Sequence, residues 1–254
     1  LYEISMETDD YEEQWQCLND YLLEARCQGN VKETCDAIMM RTLLFYNNDQ
    51  NDSVYKYTPD DLRFLADNKS WVQYYRVWYY LANTYVYAGS VTIGLQEAEK
   101  MYSDAKMRKN EMGMGLAYSV MGNAYFNMNN MEEASDACQK GINYMMKIHP
   151  VPMELALLFS SQCDVLETIG DYHRLQQLTL QWKDYLTQML ADWNVTENHV
   201  GTMPLWAYYY IGCAQAAIGL GNLDIAEKML EEARKKIVSE EEEAYRSWLY
   251  YCSR

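Results

Sequence analysis

The sequence predicts an all-α solenoid of about six helical hairpins curved around a concave groove, and three observations carry that reading. Only four prolines occur in 254 residues, and Pro59, Pro150, Pro152 and Pro204 all fall where a helix would start or stop. Alternating strand patterns are absent, while amphipathic runs of roughly 15–20 residues follow one another between short turn signals. Those signals are Gly29-Asn30-Val31, Gly89-Ser90-Val91, Asn129-Asn130-Met131, Gly170-Asp171-Tyr172 and Gly221-Asn222-Leu223. Centred on Asn30, Ser90, Asn130, Asp171 and Asn222, they stand 60, 40, 41 and 51 residues apart, a repeat near 40 with larger steps.

From the amino end, apolar periodicity alone predicts a hairpin over 8–48. The large first step takes up an additional helix over 58–68, beginning at Thr58-Pro59-Asp60-Asp61, where Thr caps and Pro suits the first turn. Hairpins follow over 70–109, 111–148, 152–193 and 203–238, and they repeat one another. Tyr118, Met121, Gly122 and Tyr125 precede one elbow, and Ala134, Cys138 and Gly141 follow it. At the same spacing stand Trp78, Leu81, Ala82, Tyr85, Gly94, Ala98 and Met101, then Tyr210, Cys213, Ala214, Ala217, Ala226, Leu230 and Ala233. A degenerate copy reads Phe159, Gln162, Cys163, Leu166, Leu175, Thr179 and Trp182. The small residue (Ala82, Gly122 or Ala214) lets the first helix approach the second, and Trp78, Tyr118 and Tyr125 fill the space between neighbours. Ser239 with Glu242 makes a capping box for a terminal helix over 240–254, in which the acidic run Glu240 to Glu243 complements the helix dipole. Trp248, Tyr251 and Cys252 there repeat the spacing of Trp78, Leu81 and Ala82, and the apolar face around Trp248, Leu249 and Tyr251 predicts a homodimer contact. Leu1 is not an initiator Met, so the chain reads as a piece of a longer protein.

Composition and motifs exclude several classes of function. With 37 Asp+Glu against 21 Lys+Arg the formal charge is −16, and so acidic a surface repels nucleic-acid phosphates. Hydrophobic residues at 49%, with 24 Tyr to 4 Phe, supply a packed core rather than a disordered chain. The most apolar stretch, Leu205 to Leu220, is interrupted by Gly212, Gln215 and Gly219 and reads as a closely packed helix, not a membrane span. The seven cysteines form no C-x-x-C pair and read mainly as buried small hydrophobes. His149, His173 and His199 are isolated, so no metal site is expected. Gly113-Met114-Gly115 lacks the third glycine and the Lys-Ser/Thr of a phosphate loop, and no G-x-S-x-G occurs. Neither a catalytic residue nor a cofactor is therefore expected; Asp164 with Glu167 is the acid pair that a groove could hide.

The repeated copies resemble the tetratricopeptide repeat, W-x2-L-G-x2-Y followed by A-x3-F and a further small residue. That likeness implies a right-handed superhelical solenoid whose first helices line the concave side. It places Asn83, Asn123, Asp164 and Gln215 in the groove, with Tyr79, Ser119, Ser160 and Ile211 one turn earlier. Amides and Tyr hydroxyls in such a ladder can hydrogen-bond an extended peptide, and rings such as Tyr208 add apolar contact area. In the other reading the same amides bond across neighbouring helices. Family members that grip a carboxyl-terminal carboxylate use Lys and Arg near such Asn residues, and Arg76 is the only basic candidate in register. Trp71, Tyr74, Tyr75, Trp78, Tyr79 and Tyr80 cannot all lie on one buried face, so some are expected to face the groove or solvent. The long Tyr-, Met- and Asn-rich repeats, such as Ala98-Glu99-Lys100-Met101-Tyr102 and Met114-Gly115-Leu116-Ala117-Tyr118, resemble those in the sensor portions of bacterial membrane-bound histidine kinases. The resemblance implies a non-catalytic, periplasmic input domain that binds a protein, peptide or small solute and meets the membrane only through a parent chain. The alternative is a cytoplasmic scaffold or adaptor.

Overall fold

A computed structural model describes residues 10–197 and 203–237, and every regular element among them is an α-helix. In chain order these are α1 (Tyr11–Cys27), α2 (Val31–Asn47), α3 (Asn51–Asp67), α4 (Trp71–Tyr87), α5 (Val91–Arg108) and α6 (Glu111–Asn127). There follow α7 (Met131–Met145), α8 (Glu154–Thr168), α9 (Tyr172–Trp193), α10 (Met203–Gly219) and α11 (Leu223–Ile237). The chain divides into two compact units, Leu1–Asn129 and Asn130–Arg254, which hold α1–α6 and α7–α11.

Helix ends in the first unit keep a strict period. Left-handed residues close the turns at Gly29, Asp49, Lys69, Gly89, Lys109 and Asn129, one every 20 residues. Lys69 adopts this conformation because the helix stop requires it: its N–H bonds the Ala66 carbonyl at 3.0 Å and the Ser70 N–H bonds the Leu65 carbonyl at 2.9 Å. Three of the six helix starts in this unit are capped from side chains, with Asp10, Asn30 and Asn110 accepting from the N–H groups of Glu13, Glu33 and Gly113.

In this unit α2 packs on α4 and α4 on α6, forming one layer, while α1, α3 and α5 fill in against it. The pairs that repeat are therefore α2 with α3 and α4 with α5. This corrects the additional helix expected over 58–68; the hairpin expected over 8–48 is α1 and α2, packed on each other. Helix α1 is an outer helix that precedes the first full pair, and α3 is the second member of that pair, starting at Asn51. Pro59 lies in the middle of α3 and not at its start. It stands on the exposed side of the helix, where water can take up the Tyr55 carbonyl that proline leaves unbonded. The core runs between the layers, with Leu22, Ile38, Leu65 and Val77 in one cluster and Phe45, Val54 and Leu81 in the next. Helix α5 approaches α4 so closely that a Cβ on Gly94 would lie 2.5 Å from Val86 Cγ2 and 2.8 Å from the Ala82 carbonyl oxygen.

The second unit repeats the plan. Helix α8 packs on α10, with α7 and α9 against α8, α9 also against α10, and α11 against α10. Asp171 caps α9, and Gly170 and Gly221 supply the left-handed turns. Phe159 of α8 stacks on Trp182 of α9 with ring centroids 5.5 Å apart, and Tyr209 of α10 meets the same Trp182 edge-on at 6.2 Å. The expected helix over 240–254, with Ser239, Glu242, Trp248, Leu249, Tyr251 and Cys252, lies outside the described residues, as does His199.

Candidate functional site

The site residues singled out from the sequence fall on α4 and α6, which pack in one layer of the first unit, and on α8 and α10, which pack together in the second. Asn83 of α4 and Asn123 of α6 meet directly: Asn123 Nδ2 donates to Asn83 Oδ1 at 3.0 Å. Asn83 is 0% exposed and its own Nδ2 has no partner, whereas Asn123 is half-buried. Tyr79 and Ser119 are also buried in this layer. Arg76 is half-buried, with Nη1 3.8 Å from Met39 Sδ. Tyr80 is half-buried, packed edge-on against Tyr79 at 5.4 Å and tilted against Tyr46 of α2 at 5.1 Å.

The six aromatics of α4 are distributed around the helix because α4 has neighbours on four sides, α2, α3, α5 and α6. Tyr75 and Tyr79 are buried, and Trp71, Tyr74, Trp78 and Tyr80 are half-buried. Two of their polar ends bond acids of α5: Tyr75 Oη donates to Asp104 at 2.8 Å and Trp78 Nε1 to Glu97 at 3.0 Å. The Arg108 guanidinium sits over the Trp71 ring, 3.9 Å from its centroid. Burial and the Asp104 carboxylate both hold the Tyr75 phenol well above its ordinary pKa.

In the second unit Gln215 Nε2 of α10 donates to Glu167 Oε2 of α8 at 2.6 Å, and Asp164 stands one turn before Glu167. Asp164 is open to solvent at its surface, but the protein packed around it desolvates its carboxyl, and the like charge of Glu167 adds to the effect; together they raise it to about 6. This is an anionic patch suited to a cation or a hydrogen-bond donor, with one carboxyl that exchanges its proton near neutrality. Tyr208, Ser160 and Ile211 are half-buried. The pairing of Glu167 with Gln215 and of Tyr46 with Tyr80 was not read from the sequence; the signal for Glu167 was its place three residues beyond Asp164, on the same helix face.

The cysteines among the described residues are free thiols, and Cys35, Cys138 and Cys163 are buried. Desolvation, with Asp164 nearby, pushes Cys138 up to about 12 and Cys163 well above the ordinary thiol range, so both stay protonated and weakly nucleophilic. Among the described residues no helix is long and apolar enough to cross a membrane, and no group of three His, Cys, Asp or Glu could hold a metal.

No protein-family model matches the sequence, and no curated protein matches it. Solved structures do resemble it. The crystal structure of BtubC (BKLC) from P. vanneervenii is 12% identical, covers 91% of this chain and 92% of its own, and superposes with a TM-score of 0.64. The TPR-like repeats of a Podosopora anserina kinesin light chain are 11% identical over 90% of this chain and 97% of theirs, with a TM-score of 0.48. Paired layers of helices at a period of forty residues, and a superposition that spans nine-tenths of the chain, make this protein an all-α repeat solenoid.

Proposed function

We propose that the chain is a non-catalytic protein- or peptide-binding module and that it serves as the extracytoplasmic sensor domain of a bacterial two-component histidine kinase. The observation that carries the module reading is the make-up of the inner layers. Arg76, Tyr80 and Asn123 in the first unit, and Asp164, Tyr208 and Gln215 in the second, keep part of their surface open on rigid helices. Amide, guanidinium, carboxyl and ring groups in that arrangement match what an extended peptide presents, and TPR-like repeats are interaction modules in general. A peptide array probed with this chain tests the reading. Binding that falls in an Arg76→Ala or Gln215→Ala variant supports it, and binding unchanged in both refutes these positions as the contact surface.

The sensor assignment rests on the resemblance of the Met- and Tyr-rich repeats to kinase sensor regions, and the coding sequence on both sides of these residues tests it. A signal peptide upstream with a membrane span and kinase downstream supports it. The free thiols, the exposed Cys27 among them, favour the second reading, a scaffold in a reducing cytoplasm. An initiator codon close upstream without a signal peptide would establish that second reading.

A further inference from the structure

The outer helices α1, α3, α5, α7 and α9 each pack on the inner helix that follows them in the chain. Between α5 and α6 the fit is close: Tyr118 meets Tyr102 edge-on at 5.0 Å, and a Cβ on Gly113 would lie 2.8 Å from Ala105 Cβ. Two positions of each outer helix are closed to solvent in this arrangement. The eighth residue is Leu18, Thr58, Ala98, Cys138 or Thr179, and none of them is more than 5% exposed. The fifteenth is Ala25, Leu65, Ala105, Met145 or Leu186, and none exceeds 1%.

Helix α11 departs from this rule. Among the described residues no inner helix follows it, its eighth residue, Leu230, is 47% exposed, and its fifteenth, Ile237, is half-buried. Leu230 stands with Leu223 and Ala226 of α11 and Ile218 of α10 in an open groove of about 420 Å³, and Leu223 and Ile218 are more than half exposed as well. Arg234 lines the groove one turn beyond Leu230. A repeat array stays soluble when the apolar face at its end is covered, and a contiguous apolar groove of this kind marks a docking surface.

We propose that this groove seats residues 240–254 of the same chain, packed on α11 as α6 packs on α5. Residues 238–254, outside the described residues, continue directly from α11, so a short link offers them to the groove at a ~millimolar effective concentration that a second molecule does not reach. Residues 240–254 match the 15 residues of inner helix α8. Trp248, Tyr251 and Cys252 repeat the spacing of Trp78, Leu81 and Ala82 on inner helix α4, which supplies an apolar side for Leu223 and Leu230. A turn after Ile237 sends the segment back along α11 and sets the acidic run Glu240 to Glu243 beside the last turn of that helix, which carries Arg234, Lys235 and Lys236. The apolar residues expected at a homodimer contact are then buried within one chain.

Hydrogen exchange of the full chain, read by mass spectrometry, tests the proposal. Amides within 240–254 should exchange at least ~tenfold more slowly than in a free peptide of the same sequence, the step that burial of one leucine side chain supplies. That protection should not depend on chain concentration. Leu230→Asp in the groove and Trp248→Ala in the segment should each return the segment to the free-peptide rate while α8 and α9 stay protected. Leu180→Asp, at a 64% exposed position on α9, should leave the segment protected. Exchange at the free-peptide rate in the unaltered chain, or protection that survives Leu230→Asp or Trp248→Ala, would overturn the proposal. Protection that grows with chain concentration, together with a dimer in sedimentation, would overturn it too, because a second copy would then be the occupant.

Discussion

The contact between Asn83 and Asn123 separates two roles for the same residues. Asn123→Ala removes the donor to Asn83 Oδ1, and Asn83 is then left at 0% exposure with neither end of its amide bonded. Stranding a buried polar group in this way costs ~1–3 kcal/mol, so we expect a loss of about 2 kcal/mol. With a urea m-value of ~1–3 kcal/mol/M, the midpoint of the first unit should fall by about 1 M. Adding Asn83→Leu in the same chain replaces the stranded amide with an apolar group of similar size. Most of the loss should return, since removing both partners of a buried bond can be nearly neutral. The assay is urea unfolding followed by circular dichroism and tryptophan fluorescence, with peptide binding measured on the same preparations. If Asn123→Ala unfolds at the wild-type midpoint and loses peptide binding, the amide serves a ligand and the helix-bridging assignment of Asn83 with Asn123 is wrong.

Three further outcomes are expected. Gly113→Ala should destabilise the first unit by a net ~1–2 kcal/mol in urea unfolding, because its Cβ would lie 2.8 Å from both Ala105 Cβ and the Tyr75 ring and overpacking outweighs the ~1 kcal/mol gain in helix propensity; Tyr75→Phe, which frees the ring from Asp104, should lessen the penalty. Asp164 has a folded-state pKa of about 6 against an ordinary 3.8, so the native state holds its proton more tightly and stability should fall as pH rises from 3.8 through about 6; in Asp164→Asn that slope should flatten in melting curves taken across the window. Arg41→Leu should cost ~3–5 kcal/mol, because it leaves the Asp61 carboxylate, which is 2% exposed and bonded by Arg41 Nη2 at 2.5 Å, with only the more distant Arg26 Nη2 at 3.9 Å; Arg41→Leu with Asp61→Leu should recover most of the loss in the same unfolding assay.

Helix content, the forty-residue repeat and the identity of the core positions were legible because apolar spacing and small residues at close approaches follow directly from helix geometry. The phase of the first repeats was not. Turns at Gly29 and Gly89 announce themselves, but the turns between them are made by Asp49 and Lys69 in the same left-handed conformation, which Asp signals only weakly and Lys not at all. The spacing therefore predicts a short additional helix over 58–68 beginning at Thr58-Pro59, where the structure has a helix from Asn51, since proline in mid-helix is costly unless its exposed side meets water.

The candidate site divides in the same way. The sequence determines which residue types stand on the first helix of each pair, and hence that Asn83 and Asn123 share a layer in the first unit and Asp164 and Gln215 one in the second. Only the tertiary structure decides which of them are open. Asn83 and Asn123 turn toward each other because α4 and α6 pack directly, whereas Asp164 remains at the surface and Glu167 takes Gln215 as its partner. Periodicity names the face of a helix, but burial depends on the distance to the neighbouring helix, and that distance is set by packing between residues some forty positions apart in the chain.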